Sequence, residues 1–200
     1  MRYSFLVFVL LLLLPLYQLN GQAHVDTALS YVGVREKTGR NDGYFVERFL
    51  SSVGRKKGDS WCAAFVSYCL TVTHTKEPAI RSGLAYDFTK AKYVIAASDV
   101  LKYNLKLPRG TLVIWRKGTT LFGHIGIAIT QWKGSSGKTV EGNTSPDSSG
   151  SQSNGNGVYI KNRKISPLSY FSIKYFTLVA PKGNKNEIPT DLRLRPGLFK

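Results

Sequence analysis

A cysteine, a histidine and a carboxylate–amide pair are the residues of this chain whose types and order could perform acyl transfer. Cys62 is the candidate nucleophile, His124 the candidate general base, and Glu141 and Asn143 are two candidates to orient the histidine. A cysteine hydrolase needs a thiolate, a base within hydrogen-bond reach, and a third group that fixes the base's tautomer. The three features follow one another in that order, which makes their combination more informative than any one alone.

Cys62 lies at the predicted start of a helix that runs from Trp61 to about Val72, with Ser60 or Asp59 as its cap. Unpaired N–H groups and the helix dipole stabilise a thiolate there and can hold an oxyanion. Cys69 follows seven residues later, about 10 Å along the axis, which is too far for a disulfide. We therefore expect Cys69 to be a buried core thiol. The alternative interpretation of Cys62 is that it, like Cys69, is only a small core residue.

His124 opens a predicted strand, His124 to Thr130, whose residues alternate in size. Isoleucines occupy one face, and Gly126 and Ala128 follow His124 on the other, which leaves room for a helix to pack closely against the sheet. The alternative is a structural histidine bonded to backbone at a strand end. The other histidines, His24 and His74, are expected to have no catalytic role.

Glu141 and Asn143 follow a plausible hairpin loop at residues 133–137 and are two positions apart, so we expect them on one face of a strand. Either could accept the N–H of His124 if the hairpin returns beside it. The sequence does not determine the strand register, so the choice stays open. The alternative is a solvated glutamate and a turn asparagine.

The apolar periodicity changes along the chain from helical to alternating. Helices are predicted at residues 24–34, 44–53 and 61–72, with a fourth at 86–97, and strands at 111–115, 124–130, 139–141, 158–160 and 173–180. Helices followed by strands indicate an α+β fold with an antiparallel sheet. Residues 145–157 are rich in Ser, Gly and Asn, and we expect them to form a mobile loop.

The segment from Ser60 to Leu70 resembles the catalytic helix of CHAP domains, the cysteine- and histidine-dependent amidohydrolases/peptidases of the NlpC-type superfamily. Further similarities are Gly123–Ile127, which resembles the family's histidine strand, Val140–Asn143, which resembles its "Glu-x-Asn" strand, and Pro108–Trp115, in which Thr111 replaces an aspartate. Gly33–Glu36 with Asn41 and Asp42 is similar to a bacterial subgroup, so the resemblance covers roughly residues 25–180.

The resemblance implies a papain-like fold, with N-terminal helices packed on an antiparallel sheet, and hydrolysis of peptidoglycan. The bond cut is either the muramoyl–L-alanine amide or a peptide bond of the stem or cross-bridge. By position, Cys62 is the nucleophile, His124 the base and Glu141 the orienter, with Asn143 as its rival or as a fourth, supporting residue. Thr111 is expected to affect a turn rather than the chemistry. No cofactor or metal is required, and the cysteines and histidines lack the short spacing of a zinc site.

The chain has 200 residues, with 28 Lys and Arg against 12 Asp and Glu, a formal charge of +16. This length fits one domain, and the charge predicts an anionic partner without naming it. Together with the resemblance, the charge makes peptidoglycan or another anionic cell-wall polymer the expected partner. We expect no nucleic acid as partner, because no recognised motif accompanies the charge, and we expect a monomer. Two alternatives are a non-catalytic secreted wall-binding module and a cysteine protease acting on proteins.

Residues 1–23 are predicted to be a signal peptide, with Arg2 before an apolar run and a cut after Ala23. The run from Phe5 to Tyr17 is 13 residues, short of the roughly 20 that span a bilayer, so no stable membrane span is expected. The chain is then exported, to the periplasm, the cell wall or the medium. Residues 24–180 form the predicted catalytic domain and 181–200 a basic polar tail. The mature chain keeps 27 basic and 12 acidic residues, or +15.

Overall fold

The structure is a computed structural model that describes residues 23–76, 78–91, 94–102, 104–116, 120–132, 135–146, 150–151, 153–165 and 172–177. For residues 172–177 it describes the course of the backbone. The predicted signal peptide up to residue 22 and the predicted tail at 181–200 lie outside these residues. No helix among the described residues is long and apolar enough to cross a membrane.

Three helices occur where the periodicity predicts them: α1 (Ala23–Ser30), α2 (Tyr44–Ser51) and α3 (Cys62–Val72). The predicted helix at 86–97 is wrong. A 3₁₀ helix (Ala85–Lys90), a strand β1 (Val94–Ala96) and a short helix α4 (Ala97–Lys102) lie in this region instead. Ala91 ends the 3₁₀ helix with an extended backbone, and β1 begins with β-branched residues, which favour a strand.

The remaining strands form one antiparallel sheet with β1. They are β2 (Leu112–Arg116), β3 (Gly123–Ala128), β4 (Ser136–Thr144), β5 (Gly157–Lys164) and β6 (Ser172–Thr177), and their spatial order is β1-β6-β2-β3-β4-β5. The five strands that the sequence predicts are therefore confirmed, with β1 as an addition. Helices first and an antiparallel sheet after confirm the α+β class.

Two clusters of buried side chains lie on the sheet. The larger joins α1, α2 and α3 to apolar residues of β2 to β5, and the smaller joins α4 to residues that include Trp115 and Ala128. Residues 62–70 of α3 are all buried, as expected for a helix that is apolar around its circumference. Because α3 packs directly on β3 and β4, its first residue lies next to the strands that carry His124 and Glu141.

Candidate active site

Cys62 is the first residue of α3, and no side chain caps this helix. The predicted cap by Ser60 or Asp59 is wrong: Trp61 occupies the cap position, and the Asp59 carboxylate instead accepts a hydrogen bond from the Lys56 N–H at 3.1 Å. An uncapped helix start leaves its first N–H groups available to a ligand. Only 4% of Cys62 is exposed, so access to the thiol is narrow.

The two cysteines lie on the same helix and are both free thiols, as their spacing predicts. Cys69 is buried in the larger core cluster, and burial raises the pKa of its thiol above the ordinary value. A thiol kept protonated in this way is a poor nucleophile. The structure therefore places only Cys62 beside the other candidate site residues.

His124 donates a hydrogen bond from Nε2 to the Glu141 carboxylate at 2.8 Å. The register of β3 and β4 pairs Ile127 with Val140 and so brings Glu141 opposite Gly126. A Cβ atom at Gly126 would lie 2.6 Å from the Glu141 Cγ, so the missing side chain makes room for the carboxylate. The prediction that Gly126 leaves room for a helix is wrong, because the Glu141 side chain occupies this space.

Four donors surround the Glu141 carboxylate, which is fully buried. Oε1 accepts from the Thr139 hydroxyl at 2.5 Å and from Arg163 Nε at 2.7 Å, while Oε2 accepts from His124 Nε2 and from Arg163 Nη2. Burial by itself would raise the pKa of Glu141, but the bonds to Arg163 and His124 outweigh it and lower the pKa to about 2. Glu141 is therefore ionised, and His124 Nε2 carries a proton.

The second ring nitrogen of His124, Nδ1, is buried and completes no hydrogen bond among the described residues. Burial would lower the pKa of His124, but the neighbouring Cys62 thiol and the Glu141 carboxylate raise it to about 9. Since Glu141 occupies Nε2, Nδ1 is the ring nitrogen left for a proton exchange with Cys62. The raised pKa favours the imidazolium form of the ring.

Asn143 makes different contacts from Glu141. In the amide orientation that satisfies both ends of the side chain, it accepts from the Trp61 N–H at 3.2 Å and donates to the Gly155 carbonyl at 2.9 Å and the Asn41 Oδ1 at 3.2 Å. Its φ is 57°, within an irregular stretch of β4 where the pairing to β5 shifts. Asn143 therefore holds the residue before Cys62, which fits a supporting position rather than the orienting one.

A second network supports the same segment from the other side. Glu36 accepts from the Trp61 indole N–H at 2.9 Å and from the Asn41 backbone N–H at 3.0 Å. Together with Asn143 these bonds fix Trp61, the residue that leads into the helix. The predicted effect of Thr111 on a turn agrees with its hydroxyl, which donates to the Pro108 carbonyl at 2.7 Å.

Three residues that contact the site were not predicted from the sequence to lie there. Arg163 and Thr139 contact Glu141 directly, and Trp115 packs on the His124 ring with centroids 5.7 Å apart. Thr139 is two positions before Glu141, so period-two alternation could have found it. Nothing local in the sequence marks Arg163, which lies on another strand.

His24 lies away from the cluster of Cys62, His124 and Glu141. It is buried against the turn at Gly110, with Nε2 3.1 Å from the Gly110 carbonyl oxygen, and burial is the main cause that lowers its pKa. This is a packing contact with no link to Cys62. Among the described residues, no group of three or more His, Cys, Asp or Glu side chains could hold a metal ion.

A shallow basic groove of about 550 Å³ lies on the outer side of α2. Its cations are Arg48, Arg55 and Lys57, and its lining also includes Tyr44, Glu47 and Ser51. Lys57 is partly neutralised, since its ammonium lies 3.6 Å from Asp42 and 3.9 Å from Glu47. The groove is separate from the cluster of Cys62, His124 and Glu141.

Comparisons of the chain with protein-family models, characterised proteins and solved structures found no match.

Proposed function

We propose that this chain is a secreted hydrolase that cleaves an amide bond of peptidoglycan, with Cys62 as nucleophile and His124 as general base. The observation that carries the proposal is the buried His124–Glu141 hydrogen bond of 2.8 Å, on the two strands against which the helix of Cys62 packs. A carboxylate that orients a histidine beside a thiol is the arrangement that thiol hydrolysis requires. Glu141 is the orienting residue in this proposal, and Asn143 supports Trp61.

In the proposed reaction, the Cys62 thiolate attacks the amide carbonyl and forms a tetrahedral intermediate. The Cys62 backbone N–H, at the uncapped start of α3, and one further donor hold the oxyanion. His124 then protonates the leaving amine from Nδ1 and a thioester remains on Cys62. A water molecule that His124 activates hydrolyses the thioester, which releases the acid and restores the thiol.

The choice of peptidoglycan rests on charge and on the resemblance to CHAP domains. Peptidoglycan stems carry carboxylates, and the formal charge of +16 attracts anionic polymers. The groove on α2 contributes Arg48, Arg55 and Lys57 to this surface, with nearby carboxylates offsetting part of the charge of the last two. A papain-like arrangement of α3 on the sheet and export by the predicted signal peptide belong to the same proposal.

The test is a clearing assay on purified peptidoglycan with the wild-type chain, Cys62→Ala and Cys69→Ala. We expect Cys62→Ala to abolish clearing. Cys69→Ala is the matched control, because it deletes the other thiol of the same helix, which lies in the core. This variant should retain activity with some loss of stability. Clearing by Cys62→Ala would refute the thiol mechanism.

Mass spectrometry of the fragments identifies the bond, because each candidate amide leaves a different new amino terminus. Pull-down of the protein on peptidoglycan without released amines would favour a non-catalytic wall-binding module. Cleavage of a denatured protein substrate with intact peptidoglycan would favour a protease. The first result would overturn the proposed hydrolysis, and the second would overturn the proposed substrate.

A further inference from the structure

We propose that Arg163 is a positioning residue of the site: its guanidinium holds Glu141 ionised and aimed at His124. The proposal rests on the proposed function for its catalytic meaning, but its effect on Glu141 is measurable without activity. Arg163 Nε donates to Glu141 Oε1 at 2.7 Å and Nη2 donates to Oε2. This two-bond contact matches the planar fork of a guanidinium to the two oxygens of a carboxylate.

Trp115 adds a second contact that fixes the guanidinium. The Arg163 Cζ lies 5.2 Å from the centroid of the Trp115 ring, and the same ring lies 5.7 Å from the His124 ring. Trp115 pairs directly with His124 across β2 and β3. The indole therefore packs on both side chains, whose N–H groups meet at Glu141 Oε2.

The charge of Arg163 matters because Glu141 has no exposed surface. A buried carboxyl without a cation takes up a proton, since desolvation disfavours the charged form. The Thr139 hydroxyl bonds Oε1 but brings no charge. If Glu141 took up a proton, one of its oxygens would become a donor facing the four donors around it. The Nε2–H of His124 would then lose its fixed acceptor. Arg163 thus acts on the histidine through the carboxylate.

The pairing of β4 with β5 explains why the side chain that bonds Glu141 from Arg163 must be long. Arg163 is four residues along β5 from Tyr159, the residue that pairs with Glu141. A long side chain must therefore run back along the sheet, and 17% of the Arg163 side chain stays exposed. A lysine could bring the charge but not the two parallel bonds.

The experiment titrates Glu141 by carboxyl ¹³C NMR in the full chain labelled at glutamate Cδ, with Glu141→Gln used to assign the signal. We compare wild type, Arg163→Met, Arg163→Lys and, as the matched control, Lys164→Met, which removes an exposed cation from the same strand. We expect Glu141 to stay ionised down to about pH 3 in wild type and Lys164→Met, and its midpoint to rise by at least about one pH unit in Arg163→Met. Arg163→Lys should give an intermediate shift.

The kinetic measurement is kcat and KM on soluble peptidoglycan fragments at neutral pH. We expect Arg163→Met to lower kcat with little change in KM, and Arg163→Lys to recover part of the loss. An unchanged Glu141 midpoint in Arg163→Met would overturn the proposal, and should that variant not fold, an unchanged midpoint in Arg163→Lys would do so. A shifted midpoint in a chain that does not cleave peptidoglycan would instead refute the proposed function and leave the control of Glu141 by Arg163 standing.

Discussion

The free energy of unfolding should fall as the pH rises, because the folded state holds the His124 proton more tightly than the unfolded state does. Burial by itself would lower the pKa of His124, but the neighbouring Cys62 thiol and the hydrogen-bonded Glu141 carboxylate outweigh burial and raise the pKa from 6.5 to about 9. Between these two values the folded state keeps one proton that the unfolded state has lost. The stabilisation is therefore fully present below pH 6.5 and is lost as the pH rises through 9.

The size of this effect follows from the shift in the pKa. It corresponds to a total of about 3 kcal/mol, lost with a steepest slope of about 1.4 kcal/mol per pH unit. Burial also raises the pKa of Cys69 above its ordinary value of 9.0, which adds a decline of the same sign toward the top of this range. The raised pKa of Tyr31, about 12, and the lowered pKa of His24 act outside the range. Among the described groups His124 should therefore dominate the slope from neutral pH to about pH 8, and comparison with His124→Gln removes the contribution of Cys69.

Urea unfolding of wild type and His124→Gln at half-unit steps from neutral pH to pH 9 measures this slope. We expect the stability of wild type to decline more steeply across this range than that of His124→Gln, which keeps the contribution of Cys69, so that the two curves converge. Cys62→Ala should show a smaller decline than wild type, because one of the two groups that raise the pKa of His124 is gone. Some decline should remain, because Glu141 still accepts the hydrogen bond from the ring. Equal slopes in wild type and His124→Gln would refute the reasoning. If His124→Gln does not fold, a ring titration of wild type near pH 6.5 would refute it as well.

Substitutions at two further positions, Gly126 and Asn143, test the backbone of the two strands that carry the site. Gly126→Ala places a Cβ atom 2.6 Å from the Glu141 Cγ, so we expect a displaced carboxylate, a lower His124 pKa by ring NMR and a lower kcat; an unchanged ring titration would contradict this. Asn143 has a φ of 57°, so Asn143→Ala should be less stable than Asn143→Gly by about 1 kcal/mol in urea unfolding. Equal stability of the two Asn143 variants would show that the backbone strain is absent.

The local patterns of the sequence predict the helix of Cys62, the strand of His124 and the α+β class. These features depend on periodicity within one element, which a single segment carries. The helix predicted at 86–97 fails because the pairing of β1 with β6 decides the structure there. Likewise, the Asp59 side chain bonds the Lys56 N–H within its own loop rather than capping α3.

Partners from distant strands could not be predicted from the sequence. The choice between Glu141 and Asn143 depends on the register of β3 and β4 and on an irregularity in β4, neither of which a period of two reveals. Arg163 joins the site only because β5 returns beside β4 and its side chain is long enough to run back to Glu141. The candidate residues Cys62, His124 and Glu141 could therefore be identified from residue types and order, and their contact with Arg163 could not.

The alternation of charges from Arg163 through Glu141 to His124 argues against a purely structural role for the site. Replacing a whole buried ion pair by well-packed apolar residues is often neutral or stabilising, because desolvation offsets most of the attraction within the pair, although losing one partner or its proton is costly. A wall-binding module with no chemistry to perform could fill this space with apolar residues at no loss. The cluster instead holds a histidine proton next to a thiol at an uncapped helix start. That arrangement is useful to a reaction in which a thiolate forms and an amine must be protonated.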